Sequence, residues 1–281
     1  MSDRFAGMSV LITGGSSGIG LATAEAFAAQ GANVAVVARH PGRLEDAVAR
    51  VEAARRTPQQ VVSGLAADVA DLEQVLDAAK RAAEECGPID ILVNNAGIYI
   101  PGDFMDLPLE SFRATIDIDL LGMVYLTRAV AGPMIERGSG HIINISSMAG
   151  YVGVFGYTSY SAAKFGVMGF SEVLRSELKP HGVVVSVVCP PDVDTPGLAV
   201  ERTLRPPETE KIAGTVKAVS PDFIAGWILK AAAGTKYLYM PGFTNAALYR
   251  LKGVWPELFF AVFDHDIASV RRNGQVRRDV R

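Results

Sequence analysis

Met8-Ser9-Val10-Leu11-Ile12-Thr13-Gly14-Gly15-Ser16-Ser17-Gly18-Ile19-Gly20 runs straight into the helix-forming stretch Leu21–Gln30. An apolar run long enough for one strand enters a glycine turn, and the turn opens a helix. Glycine suits such a turn because a pyrophosphate must come close to the backbone. Gly14 takes the tight turn, Gly18 leaves room for the phosphates, and Gly20 lets helix and strand pack together. The free N–H groups at the helix start, beside Ser17 and Ile19, then face the anion. The competing reading is a plain strand-to-helix turn, which three glycines in this frame disfavour.

Outward from the turn, Gly31 closes the helix and Asn33–Ala38 reads as the second strand. In dinucleotide folds an acid at the end of that strand binds the ribose 2′-hydroxyl. Here the place reads Val37-Ala38-Arg39, with no acid. Arg39 can hold a 2′-phosphate through two parallel hydrogen bonds, and Ser16 can add a hydroxyl, so NADP(H) is expected over NAD(H). The plain alternative for Arg39 is a solvated loop arginine. Leu44–Arg55 reads as an amphipathic helix and Val61–Ala67 as the third strand, ending at Asp68 and Val69. An acid there can accept from an adenine amino group. Asp71–Cys86 is a helix capped by Asp71, and Ile89–Val93 is a strand ending at Asn94-Asn95-Ala96-Gly97. Asn95, Ala96 and Gly97 suit the crevice at the carboxyl end of an open sheet. Leu109–Arg128 reads as one long helix with Asp117 and Asp119 in its middle. His141–Ile145 is a strand leading to Ser146-Ser147, and Val183–Val188 is a further strand. The βα alternation implies an α/β fold, a doubly wound parallel sheet with helices on both faces.

The totals agree with one large domain: 281 residues, 49% of them hydrophobic. A net charge of -3 supplies no basic field for nucleic acid, and no nucleic-acid partner is expected. Cys86 and Cys189 make no disulfide framework, and the four histidines lack metal-ligand spacing, so no metal is assigned. The chain starts without a secretory pattern, and a cytoplasmic location is expected. Phe5–Ala24 and Ile142–Ala163 carry no charge, but Gly, Ser, Thr and Asn break both, so neither reads as a membrane span.

Tyr160-Ser161-Ala162-Ala163-Lys164 puts a phenol and an ammonium four residues apart, on one face of a helix and one turn apart. A cation held there favours phenolate, so the phenol can trade a proton near neutral pH. Alone the pattern is weak and often marks an ordinary exposed helix. Ser146 and Ser147 lie fourteen and thirteen residues before Tyr160.

Taken jointly, Thr13–Gly20, Asp68, Asn94–Gly97, Ser147 and Tyr160-x-x-x-Lys164 make the chain resemble the short-chain dehydrogenase/reductase family over about Met8 to Thr195. The resemblance implies a Rossmann-type sheet and hydride transfer between a nicotinamide and a carbonyl or alcohol. It makes Tyr160 the general acid of carbonyl reduction. Lys164 lowers its pKa and binds the nicotinamide ribose, and Ser147 holds the substrate oxygen. Pro190, Val193 and Thr195 join the cofactor wall, with Thr195 where the family meets the carboxamide. Two departures stand out. The family has an asparagine three residues before the glycine of the long helix, where it serves a water relay to the lysine; here Asp119 precedes Gly122. An ionised aspartate cannot donate a hydrogen bond, so either the relay is altered or Asp119 pairs directly with a cation. Where the family has Pro-Gly, this chain has Pro190-Pro191, followed by Asp192-Val193-Asp194-Thr195-Pro196-Gly197. That stretch resembles the subfamily of 3-ketodihydrosphingosine reductases, as do Arg205–Thr209 and Phe263-Asp264. This implies NADPH-dependent reduction of the 3-keto group of a long-chain sphingoid base, a small-molecule lipid substrate. The same chemistry on a steroid or fatty ketone, or a non-catalytic NADP(H)-binding regulator, are the alternatives.

Residues 1–235 are expected to form the catalytic domain, with 197–220 as a substrate lid, and 236–281 an aromatic-rich extension. Tyr237, Tyr239, Phe243, Tyr249, Trp255, Phe259, Phe260 and Phe263 exceed what a solvated tail needs. They fit peripheral contact with a membrane face, the lining of an acyl-chain tunnel, or a subunit interface or core patch, and a homo-oligomer is expected. Five arginines in Arg271–Arg281 fit either anionic headgroups or a solvated tail.

Overall fold

The computed structural model describes residues 4–214 and 217–279, with side chains through residue 272. Three of the five tail arginines, Arg277, Arg278 and Arg281, therefore lie outside the described side chains. Seven parallel strands form one sheet: β1 (Ser9–Thr13), β2 (Asn33–Ala38), β3 (Val62–Ala66), β4 (Ile89–Asn94), β5 (Gly140–Ile145), β6 (Val183–Val188) and β7 (Leu238–Tyr239). Their order is β3-β2-β1-β4-β5-β6-β7. The winding reverses between β1 and β4, and in such sheets ligands sit beyond the carboxyl ends at that point.

Alternation along β1 divides the core. Val10 and Ile12 point to one face, with α1 (Gly18–Ala28), α2 (Pro41–Ala53) and α9 (Pro221–Ala232). Leu11 points to the other, with α3 (Leu72–Cys86), α5 (Gly122–Arg137) and α6 (Thr158–Leu178). A strand buried on both faces reads as an unbroken apolar run, which is why Met8–Thr13 showed no polar alternation. Asp71 caps α3 as expected, accepting from the Glu73 and Gln74 amides.

The long helix departs from expectation. It extends to Arg137 and is interrupted: α4 (Leu109–Ile116) passes into a wide π turn, Asp117–Leu121, before α5. The extra residue in that turn rotates Asp119 inward, and the residue is 2% exposed. Leu109–Arg137 has the length and hydropathy of a membrane span, but half of its apolar window is buried within the protein.

The sheet continues past residue 235. β7 pairs with β6, so the aromatic segment begins inside the sheet. Beyond it, α10 (Phe243–Val254) and α11 (Pro256–Asp279) form a helical pair. Phe259 packs with Tyr151, Val152, Val187 and Cys189, and Leu248 and Phe263 press on the same cluster. The expected lid holds two short helices, α7 (Pro196–Arg202) and α8 (Pro207–Ala213).

Candidate active site

The glycine turn is packed as close backbone approach demands. Gly14 has φ +64°, and a Cβ there would lie 2.8 Å from Ala96 Cα. At Gly20 a Cβ would lie 2.3 Å from the Gly14 carbonyl oxygen, so only glycine lets α1 seat on the turn. Ser17 precedes α1 without a side-chain capping bond, which leaves the first N–H groups for an anion. Thr13 Oγ1 accepts from the amides of Asn95 at 2.9 Å and Ala96 at 3.0 Å. Asn95 Nδ2 donates to Thr13 O at 3.0 Å and Gly14 O at 3.3 Å. The Asn95 amide is thus committed to bracing the turn, a role its sequence position did not reveal.

A cavity of about 760 Å³ opens over the carboxyl ends of the strands. Gly14, Ser16, Ser17, Gly18, Ile19, Arg39, Val69, Asn95, Ala96 and Gly97 line it, as do Asp119, Ser147, Tyr160, Lys164, Pro190, Val193 and Thr195. Gly20 lies beneath the turn, and Asp68 stands outside the lining, with a carboxylate oxygen 3.9 Å from Arg39. Both members of that loose pair are well exposed, so the guanidinium keeps donors for a phosphate. A phosphate-sized approach to glycine backbone, unused helix N–H groups and an available arginine together fit a phosphorylated dinucleotide.

Ser146 and Ser147 follow β5 and separate cleanly. Ser146 Oγ donates to Lys164 O at 3.1 Å, which makes it a prop. Ser147 Oγ accepts from Ala149 N at 3.1 Å, which leaves its hydroxyl proton free to donate. Helix α6 begins at Thr158, so Tyr160 and Lys164 sit in its first two turns. Lys164 Nζ lies 5.5 Å from the centre of the Tyr160 ring. It lies 3.0 Å from Asp119 Oδ2 and donates to Ile145 O at 3.3 Å. Asp119 is therefore paired with a cation, one of the two outcomes anticipated for it. Its contacts are the Lys164 ammonium and the Ile98 amide.

The expected lowering of the Tyr160 pKa is absent. Burial pushes the phenol above its ordinary range, the Asp119 carboxylate adds to this, and a hydrogen bond with Ser147 opposes it. Burial is the largest cause, and the Lys164 ammonium that was expected to oppose it is paired with Asp119. Tyr99 and Tyr157 flank Tyr160 edge-on, with ring centres 5.6 and 5.8 Å away. Burial pushes the Tyr99 phenol up to about 12. Tyr157 donates to Glu201, which pairs with Arg205 at 2.7 Å, and Arg205 reaches Asp192 at 2.7 Å. Sequence reading missed Tyr99, Tyr157 and Glu201. Only the i, i+4 spacing of Glu201 and Arg205 carried a signal. Thr195 lines the cavity while its hydroxyl caps α7, accepting from Leu198 N at 3.1 Å.

The C-terminal aromatics divide. Phe259 and Phe263, with Leu248, Leu251 and Leu258, wall the same cavity that holds Tyr160. Phe243 and Trp255 point outward and are 89% and 60% exposed.

Comparison with known proteins agrees with this geometry. The family model described as short chain dehydrogenase matches residues 8–205. A 3-ketodihydrosphingosine reductase from Bos taurus is 43% identical over 227 residues, spanning 80% of this chain and 68% of the relative. A short chain dehydrogenase/reductase from Burkholderia phymatum, solved in complex with NAD, superposes with a TM-score of 0.80 at 26% identity, covering 92% of this chain and 96% of its own. A metagenomic short-chain oxidoreductase in complex with NADP superposes with a TM-score of 0.70 at 29% identity, covering 86% and 100%. The matched stretch holds the glycine turn, Ser147, Tyr160, Lys164 and Arg205 alike, and the chain belongs to the short-chain dehydrogenase family as one of its oxidoreductases.

Proposed function

We propose that this chain reduces the ketone of a long-chain sphingoid base, 3-ketodihydrosphingosine, with NADPH as the reductant. The observation that carries this reading is one cavity that joins Ser147 and Tyr160 to the apolar wall of Leu248, Phe259 and Phe263. A lipid with a polar ketone end and a long alkyl chain matches both parts. The relative named for that substrate supports the choice. Arg39, in place of an acid after β2, supports the phosphorylated cofactor.

The glycine turn and Arg39 would hold the dinucleotide's phosphates, and Thr195 and Lys164 its nicotinamide end; when bound, the reduced cofactor would supply the hydride that carbonyl reduction needs. As the carbon is reduced, negative charge grows on the carbonyl oxygen. Tyr160 transfers its phenolic proton to that oxygen, and the Ser147 hydroxyl donates a hydrogen bond to it. A phenol held above its ordinary pKa range enters the reaction protonated, which suits an acid. The tyrosinate left behind takes a proton back from solvent. The alkyl chain lies along the C-terminal apolar wall, which orients the ketone and excludes water.

The test is NADPH oxidation in the presence of 3-ketodihydrosphingosine. Tyr160→Phe is expected to lower kcat by about 10²–10⁴-fold, the usual worth of a positioned acid. NADPH affinity measured by fluorescence is expected to stay within about twofold, because ring and burial are kept. Undiminished turnover in that variant would remove Tyr160 from the acid role. A steroid ketone turned over with higher kcat/KM would remove the sphingoid assignment.

A further inference from the structure

The pair formed by Asp119 and Lys164 is unlike the arrangement the family resemblance implies. An amide at residue 119 would be neutral and would leave the Lys164 charge to act on Tyr160 alone. Here a carboxylate enters from the π turn, with its side chain fully buried. Its Oδ1 accepts from the Ile98 amide at 2.7 Å, and its Oδ2 stands 3.0 Å from Lys164 Nζ. A Cβ at Gly97 would lie 2.8 Å from Oδ2, so the carboxylate rests against the strand-end backbone that borders the cavity. The Lys164 side chain is 5% exposed, and a second contact, to Ile145 O, fixes its direction. Two hydrogen-bonded anchors and a direct ion pair leave this lysine little freedom to swing.

We infer that Asp119 is a positioning residue that, by pairing directly with Lys164, keeps Tyr160 in its protonated form and biases the site toward carbonyl reduction over alcohol oxidation. The inference rests on the reading of Tyr160 as the acid and deepens it. Reduction consumes a phenol proton, while oxidation needs the phenolate to accept one. The charges around Tyr160 bear this out element by element. From the π turn comes Asp119; from the loop after β6, Asp192; from α7, Glu201. Tyr157 and Lys164 face it from α6 and its start, Tyr99 from the segment after β4, and Ser147 from the loop after β5. Arg205 lies behind Glu201 and Asp192 and is held by both, and Cys189 lies near Lys164. Each carboxylate disfavours a second negative charge on the phenol. Lys164, the cation nearest the ring, is offset by the first of them.

The sign follows. Burial raises the Asp119 carboxyl, while Lys164 and the Ile98 amide favour its ionised form. Over the pH range in which Asp119 is ionised, the phenol keeps its proton to higher pH, so the limb on which reduction fails lies high. Asp119→Asn preserves shape and an acceptor for the Ile98 amide but removes the charge. It is expected to move the high-pH limb of kcat/KM for ketone reduction to lower pH. It is also expected to raise kcat of alcohol oxidation relative to kcat of ketone reduction at neutral pH by about tenfold, the ratio of kcat/KM in the two directions being fixed by the overall equilibrium. An unmoved limb, or an equal loss of kcat at every pH, would show a merely structural residue and overturn the inference. A measurement on the wild-type protein guards against a variant that fails to fold. Tyrosinate formation by Tyr160, read as the ultraviolet difference between wild type and Tyr160→Phe during a pH titration without substrate, is expected to be absent at neutral pH. Ionisation of Tyr160 near neutral pH would overturn the inference whatever the variant does. Retained turnover in Tyr160→Phe would instead overturn the acid assignment itself, so the two failures are distinguishable.

Discussion

Arg39 is the side chain on which the proposed choice between two nearly identical cofactors turns. It follows β2 directly, where a ribose-binding carboxylate would repel a 2′-phosphate. Its partner Asp68 stands 3.9 Å away in an exposed setting, where an ion pair contributes roughly 0–1 kcal/mol. A phosphate gripped by the guanidinium is worth more, about 1.5–3 kcal/mol for hydrogen bonds between charged groups. Arg39→Ala is therefore expected to raise KM for NADPH by about 10–100-fold while leaving NADH kinetics nearly unchanged. Comparing kcat/KM for the two cofactors in wild type and variant checks this. An equal fall for both would mean that Arg39 supports the loop and does not read the phosphate. Asn95 gives the converse lesson. Its place at the end of β4 pointed to a ligand, yet its amide is fastened to the Thr13 and Gly14 carbonyls. Such a residue braces the turn through its side-chain nitrogen while also lining the cavity.

At the scale of elements, the strands were plain in the sequence because burial on both faces makes each an apolar run bounded by turn residues. The glycine turn, Ser147 and the Tyr160–Lys164 spacing were equally plain, since each is local. What stayed hidden depends on distant partners or on one residue of helical phase. The π turn at Asp117–Leu121 leaves no periodic trace, yet it turns Asp119 toward Lys164. The short β7 has only two residues and exists because β6 offers an edge. The link between Tyr157 and Glu201 joins α6 to α7 across 44 residues of chain. That link is part of a buried assembly: the Glu201 and Arg205 side chains are 1% and 2% exposed. Arg205 is held at once by Glu201, Asp192 and Glu210. It fastens the segment containing α7 and α8 beside the tyrosines. Removing one member of a buried pair strands the other charge, at a cost of about 3–5 kcal/mol. Glu201→Ala is expected to lower unfolding free energy by that amount in urea denaturation. Glu201→Gln, which keeps an acceptor for Arg205, should lose less. A loss below about 1 kcal/mol for the alanine variant would mean that water reaches Arg205 and that the segment is not fastened in this way.

Across the whole molecule, two regions far apart in sequence meet over one cavity. The carboxyl ends of β1, β4, β5 and β6 present the glycine turn, the amide-rich segment, Ser147 and the stretch from Pro190 to Thr195. Helices α10 and α11 close the remaining side with Leu248, Leu251, Leu258, Phe259, Val262 and Phe263. The first region is polar and built for a reaction that occurs at one carbonyl. The second is apolar surface apart from Asp266 of α11, which also lines the cavity. If that wall takes the alkyl chain, specificity must grow with chain length, because each methylene removed from water contributes about 0.8 kcal/mol. In a series of β-keto amines of increasing length, kcat/KM is expected to rise by up to about fourfold per methylene until the wall is filled, then level off. The double variant Phe259→Ala, Phe263→Ala loses that contact without touching Ser147, Tyr160 or Lys164. Its kcat/KM should fall several-fold or more for the longest substrates and change little for the shortest, which never reach the wall. Steady-state kinetics on the same series in both proteins gives the comparison directly. A flat chain-length profile in the wild type would mean the alkyl chain lies elsewhere. A uniform loss at every length in the variant would mean that Phe259 and Phe263 hold the fold together around Tyr151 and Cys189 rather than read the substrate.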